Sequence, residues 1–265
     1  MTSTITVPAS LDDLTFEQVI SQVAAVSADE ELLVDARRCT WASPYGLTAL
    51  LTLAQTRAVK PLFLPPDLDD LAAYWSRVGF FRHAEELFVL MGRIPTDRRA
   101  VASAMVVEIT KLVPNVAAMD ELSGVLTHVN EIFRDSLSLE SRTAMRLTMV
   151  VSEACQNVIE HAGCSGWLML QVFNYRKRMG RSVAVLAVAD AGRSYWDSKT
   201  RRTGLDALGG RVASHNGKLS VRSGTKRRSI VPAWDDDLPL MEHLAPFPGT
   251  QVQITIPADI LDATG

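Results

Sequence analysis

Glu153, Asn157 and His161 recur every four residues in the run Met149-Val150-Val151-Ser152-Glu153-Ala154-Cys155-Gln156-Asn157-Val158-Ile159-Glu160-His161-Ala162. The run contains no Gly or Pro, so this spacing predicts one polar line along a helix. Val150, Val151, Ala154, Val158 and Ile159 supply the apolar flank that would bury the rest. A carboxylate one turn from a carboxamide suits a magnesium–nucleotide site. The amide oxygen is a hard ligand for Mg²⁺, and the carboxylate can take a proton from an attacking hydroxyl or water. A solvated row of helix-compatible polar residues would show the same spacing, so this helix alone leaves both readings open.

Three later segments carry matching chemistry. Val185-Leu186-Ala187-Val188-Ala189-Asp190-Ala191-Gly192 reads as a buried strand ending in an acid and a glycine. The Asp190 carboxylate can accept a hydrogen bond from an exocyclic amine such as adenine N6, and Gly192 would let backbone approach a ring closely. Thr203-Gly204-Leu205 opens a helix predicted over Gly204 to Ser214, and a helix N-terminus is a natural phosphate seat. Pro248-Gly249-Thr250 enters a strongly alternating strand, where a glycine and a hydroxyl can line a base pocket.

The elements that must position these residues fall into two units. Thr4 to Pro8, Glu31 to Asp35 and Pro61 to Leu64 read as strands. They alternate with helices over Leu14 to Val26, Gly46 to Ala58 and Asp69 to Val78, a βαβαβα rhythm that predicts a small α/β layer. Glu85 to Met91 adds an edge strand. The polar, Pro-containing stretch 93–104 reads as a linker between a unit over 1–92 and one over 105–265. In the second unit Met105 to Ile109 is a strand. Ala117 to Leu137 and Leu139 to Ala162 are long helices, the latter capped by Ser138 or Ser141. Strands follow over Gly166 to Asn174, Ser182 to Asp190, Lys218 to Arg222 and Thr250 to Pro257. The block Lys226-Arg227-Arg228 and the run Asp235-Asp236-Asp237 bracket a hairpin or loop whose charges read as solvated surface.

Bulk properties narrow the class. The chain has 265 residues, 47% hydrophobic and 22% charged, enough for two ordinary cores. A net charge of −3 gives no basic field, which argues against nucleic-acid binding. Cys39, Cys155 and Cys164 form no CxxC pair, suit a reducing cytosol, and read as small buried hydrophobes. Met1 to Ser10 lacks a secretory pattern and no apolar run is long enough to cross a bilayer, so the expected location is cytoplasmic, without membrane contact.

Taken together, residues 105 to 258 resemble the GHKL (Bergerat) ATP-binding fold of histidine kinases, anti-sigma serine kinases, heat-shock chaperone ATPases and type II topoisomerases. Glu153–Asn157–His161 resembles the N box, Asp190–Gly192 the G1 box, Gly204–Leu205 the G2 box and Gly249–Thr250 the last box. The resemblance implies an α/β sandwich with helices on one face of a mixed sheet, binding ATP and Mg²⁺. By position, Asn157 would ligate Mg²⁺ and Glu153 would be the general base. Asp190 would read adenine, Gly192 and Thr250 would line its pocket, and Gly204 and Leu205 would sit at the phosphates. The pattern Ser-Glu-Ala-x-x-Asn-x-x-x-His-Ala is similar to that of the anti-sigma serine kinases. His128, on the preceding helix, reads as a satisfied or solvated histidine rather than a phosphoacceptor.

The sequence departs from that family where a lid would close. The second G1 glycine is lost in Gly192-Arg193-Ser194, and G2 reads Arg202-Thr203-Gly204-Leu205. Arg193, Lys199, Arg201 and Arg202 can replace backbone contacts by charge-assisted bonds to phosphate; alternatively the lid no longer closes. Residues 1 to 92, through Thr40-Trp41-Ala42-Ser43-Pro44-Tyr45-Gly46-Leu47, resemble a STAS domain, the anti-sigma-antagonist fold. Pro44 stands at the usual phosphoacceptor place and has no hydroxyl, so Ser43 reads as a helix cap, with modification of Ser43 the lesser reading. The implied function is a regulatory ATP-binding protein that transfers phosphate to a serine or threonine of a protein partner, of sigma-factor or antagonist type by analogy. A non-catalytic, nucleotide-gated interaction module is the alternative, and a homodimer is left open.

Overall fold

The computed structural model describes residues 2–95, 103–115, 118–174, 180–197 and 208–259. The chain is mixed α/β, with sheets and helices in alternating layers. Its first part holds β1 (Ser3–Thr6), β2 (Ser10–Leu11), α1 (Phe16–Val23), β3 (Leu32–Asp35), β4 (Trp41–Ala42) and α2 (Pro44–Gln55). β5 (Leu62–Leu64), α3 (Asp69–Arg77), α4 (Phe80–Leu87) and β6 (Val89–Leu90) follow. β1, β3, β5 and β6 form a four-stranded sheet in that order, each neighbouring pair parallel.

The edge strand expected over Glu85 to Met91 is a correction. Residues 80–87 are helical, and only Val89–Leu90 pairs with β5. Phe80, Phe81 and Ala84 lie at helical spacing and bury one face, with Phe80 meeting Trp75 at 4.8 Å between ring centroids. Gly79, at φ +80°, turns the chain between α3 and α4.

The second part holds β7 (Val106–Leu112), α5 (Ala118–Glu131), α6 (Ser141–Asn157), β8 (Gly166–Asn174), β9 (Ser182–Asp190), β10 (Lys218–Gly224), β11 (Lys226–Ile230), β12 (Leu240–Met241) and β13 (Phe247–Pro257). One seven-stranded sheet runs β12-β11-β10-β13-β9-β8-β7. A mixed sheet was expected, yet every neighbouring pair is antiparallel. β9 and β10 do run in the same direction, but β13 inserts between them, antiparallel to both. α6 has Glu140 at its N-cap with no side-chain bond, so neither Ser138 nor Ser141 caps it; Ser138 instead takes φ +55° in the preceding turn. Both long helices end in a π-helical turn, Ile132–Ser136 after α5 and Val158–Ala162 after α6. Among the described residues no helix is long and apolar enough to cross a membrane.

Both faces of the large sheet are covered. On one, Leu168, Leu170, Leu186, Val188, Val252 and Ile254 pack with Leu147, Val150, Val151 and Ala154 of α6. On the other, Trp167, Met169, Ala187 and Phe247 join the apolar cluster of the first part. α2 makes that contact possible. Its residues Pro44 to Ala54 are all buried, as expected for a helix apolar on every side and held between two layers. The polar side of the alternating strands therefore meets protein, not water. Gln251 donates to the Tyr45 carbonyl at 2.7 Å and to Thr48 Oγ1 at 3.0 Å.

The charge runs Lys226-Arg227-Arg228 and Asp235-Asp236-Asp237 are also corrected. Lys226 and Arg228 are exposed, but Arg227 is fully buried and paired with Asp237, whose side chain is 4% exposed. Lys218, likewise buried, lies 2.9 Å from Asp237 and 3.1 Å from Asp235, and Asp13 of the first part lies 3.9 Å away. Alternation explains it: Arg227 and Lys218 point to the side of the sheet that the first part covers.

Candidate nucleotide site

Three of the nine residues singled out in the sequence converge. Asn157 is the last residue of α6, and Asp190 is the last of β9 and sits in register with Thr250 on β13. All three line one cavity together with Ala154, Val158, Val188, Tyr195 and Val252. The Asn157 amide donates to the Glu153 carbonyl at 3.0 Å, so its oxygen is the atom a hard cation would take. Asp190 is 4% exposed, and its Oδ1 accepts from the Gly192 amide at 2.9 Å.

Gly192 and Gly249 are needed for close packing of main chain. A Cβ on Gly192 would stand 2.1 Å from the Ala162 carbonyl oxygen, where the π-helical turn ends. A Cβ on Gly249, which has φ +101°, would stand 1.9 Å from the Asp190 carbonyl oxygen. The close approach expected of Gly192 thus exists, but its partner is the end of the helix carrying Asn157. This contact locks α6 to β9 and so sets the spacing between Asn157 and Asp190.

The remaining candidates lie elsewhere. Glu153 and His161 are exposed and do not line the cavity, and His161 Nε2 is 3.8 Å from Glu160. Arg193 is exposed just after the cavity's acid. Gly204 and Leu205, together with the lid cations Lys199, Arg201 and Arg202, lie outside the described residues. His128 is satisfied as expected, its Nε2 lying 3.1 Å from the Ser103 carbonyl.

Two residues that sequence reasoning passed over complete the site. Tyr195 is 4% exposed and forms a wall of the cavity, its ring edge-on to Trp196 at 4.9 Å. The backbone of this short turn, Tyr195–Asp197, is tied down by Ser223. Ser223 Oγ accepts from the Tyr195 amide at 2.9 Å and donates to the Gly249 carbonyl at 2.6 Å, while the Ser223 carbonyl accepts from Trp196 Nε1 at 2.8 Å. An aromatic pair directly after a lost lid glycine was the available signal.

The donor set suits Mg-ATP: a carboxamide oxygen, a buried carboxylate and a hydroxyl on one wall. The room does not. The cavity is about 20 Å³, space for roughly one water, against roughly 300–1,000 Å³ for small-molecule sites. A cavity of this size does not admit an adenine ring. Among the described residues no cluster of His, Cys, Asp or Glu could hold a metal by itself.

No family model and no curated protein matches the chain.

Proposed function

We propose a cytoplasmic regulatory protein in which a STAS-like first unit is joined to a GHKL-type domain that acts by conformation rather than by catalysis. The observation that carries this is the small cavity, about 20 Å³, that Tyr195 lines together with Asn157, Asp190 and Thr250. It keeps the groups that recognise adenine and Mg²⁺ in the implied fold, while an aromatic side chain forms one wall of a space too small for the base. Nucleotide enters only when the Tyr195–Trp196 turn moves, so binding and shape are coupled by construction. Glu153, the residue implied as base, is exposed and does not line the cavity, which favours gating over phosphoryl transfer.

The first unit supports the same reading. Ser43 is 3% exposed, its hydroxyl accepting from the Gly46 amide at 3.2 Å as the cap of α2. With Pro44 beside it, this end of α2 offers no accessible hydroxyl for a kinase. Incubation with labelled ATP and Mg²⁺ tests the proposal: neither ADP release nor labelled protein accumulates above a protein-free control. Turnover that disappears in Glu153→Gln would establish the phosphotransfer reading instead.

A further inference from the structure

β10 carries the first unit on one face and the candidate site on the other, through two consecutive residues. Arg222 is completely buried and points toward the first unit. Its Nε and Nη2 donate to the two carboxylate oxygens of Glu17 on α1, at 2.7 and 3.0 Å. Further bonds run to the carbonyls of Gly224 and Ala245, and the guanidinium lies 5.8 Å from the centre of the Phe247 ring. A planar, bidentate pair of this kind fixes orientation as well as position.

Ser223 faces the opposite way. Beyond its bonds to the Tyr195 amide, Trp196 and Gly249, its Oγ lies 3.3 Å from Thr250 Oγ1 and 3.3 Å from Ser194 Oγ. The β10–β13 register breaks directly after it, since Ser223 pairs with Thr250 but Gly224 pairs with Phe247. Such a bulge aims side chains that a regular ladder would not bring together. A second cavity of about 40 Å³ lies under the turn, between Tyr195, Trp196, Leu219, Val221 and Ile230. The turn is therefore held by the Ser223 bonds together with the packing of Tyr195 and Trp196 on the core.

We propose that the first unit holds the site closed through β10: Glu17 fixes Arg222, and Ser223, the next residue, latches the Tyr195–Trp196 turn. Ser223 is a positioning residue, acting on the site through Tyr195. Anything that draws Glu17 away from Arg222 loosens the latch, and, by reciprocity, opening the turn weakens the hold on α1. This rests on the gated-pocket reading for its purpose, but not for its test.

The test is amide hydrogen exchange on the full chain without nucleotide. Ser223→Ala removes the latch directly. Glu17→Gln removes the charge that fixes Arg222 and leaves Ser223 intact. Both are expected to raise exchange in peptides spanning 191–197 by up to about tenfold, the scale of one neutral hydrogen bond. Glu108→Gln, which breaks the 3.2 Å Arg82–Glu108 pair between the same two parts, should leave those peptides unchanged. Should Glu17→Gln fail to fold, Arg222→Lys keeps the charge, loses the bidentate geometry and is expected to give the same rise. Faster exchange in Ser223→Ala alone would overturn the coupling, and no change in either variant would overturn the latch. Failure of Mg-ATP to bind an opened pocket would leave these exchange results intact and count only against the nucleotide reading.

Discussion

In the proposed reading Tyr195 decides how the candidate site behaves, because its buried ring walls a cavity too small for a nucleotide. The other reactive side chains nearby are quiet for similar reasons. Burial pushes the Cys155 thiol, two residues before Asn157, up to about 12, and the Cys39 thiol to about 11. Neither forms a thiolate near neutrality, so neither is a nucleophile. Titration with a disulfide reagent at pH 8 is expected to count one fast thiol, the half-buried Cys164, and all three only after denaturation. His83, on α4, is held neutral chiefly by burial, which lowers its pKa despite the 2.9 Å bond from Nε2 to the Ile109 carbonyl. The unfolded chain takes up this proton below about pH 6.5 while the folded chain resists, so stability falls as the pH drops from there toward the folded pKa. Denaturant midpoints measured from pH 7.5 to 5 should fall less for His83→Gln than for the parent.

At the scale of elements, α6 and β9 are registered by glycine. Gly192→Ala forces a Cβ against the Ala162 main chain, which cannot rotate away as a side chain would. A loss of about 1–3 kcal/mol in urea unfolding is expected, the usual cost of overpacking. These elements were also the most legible in the sequence. Continuous apolar runs gave β8 and β9 their observed bounds, and the four-residue polar line located α6. α4 was less legible, since its apolar positions Phe80, Phe81 and Ala84 are too few to announce a helix without Trp75 and Phe63 beside them. The convergence of Asn157, Asp190 and Thr250 was readable from ordered motifs. Its closure was not, because Tyr195 is held by Ser223, 28 residues away in the chain.

Across the whole molecule, the unexpected feature is that α2 and a polar interface cover the large sheet's second face. Alternation in β10, β11 and β13 revealed a polar face, but no local signal states whether such a face meets water or protein. Buried charges follow from it. Asp237→Ala leaves Arg227 buried without its closest carboxylate and removes one of the acids around Lys218. Uncompensated buried charge of this kind costs about 3 kcal/mol or more, so a melting temperature lower by several degrees is expected. An exposed pair such as Lys226–Glu242, at 2.7 Å on the surface, should cost almost nothing when broken.

The claim that a nucleotide frame is closed by one aromatic turn is tested most directly by Mg-ATP-dependent thermal stabilisation of the parent and of Tyr195→Ala. The account predicts little shift for the parent. Tyr195→Ala should gain several degrees at saturating nucleotide, about 2.7 kcal/mol at a hundredfold the dissociation constant, and lose that gain when Asn157→Ala is added. A full shift in the parent would contradict the closure, and no shift in Tyr195→Ala would contradict the frame.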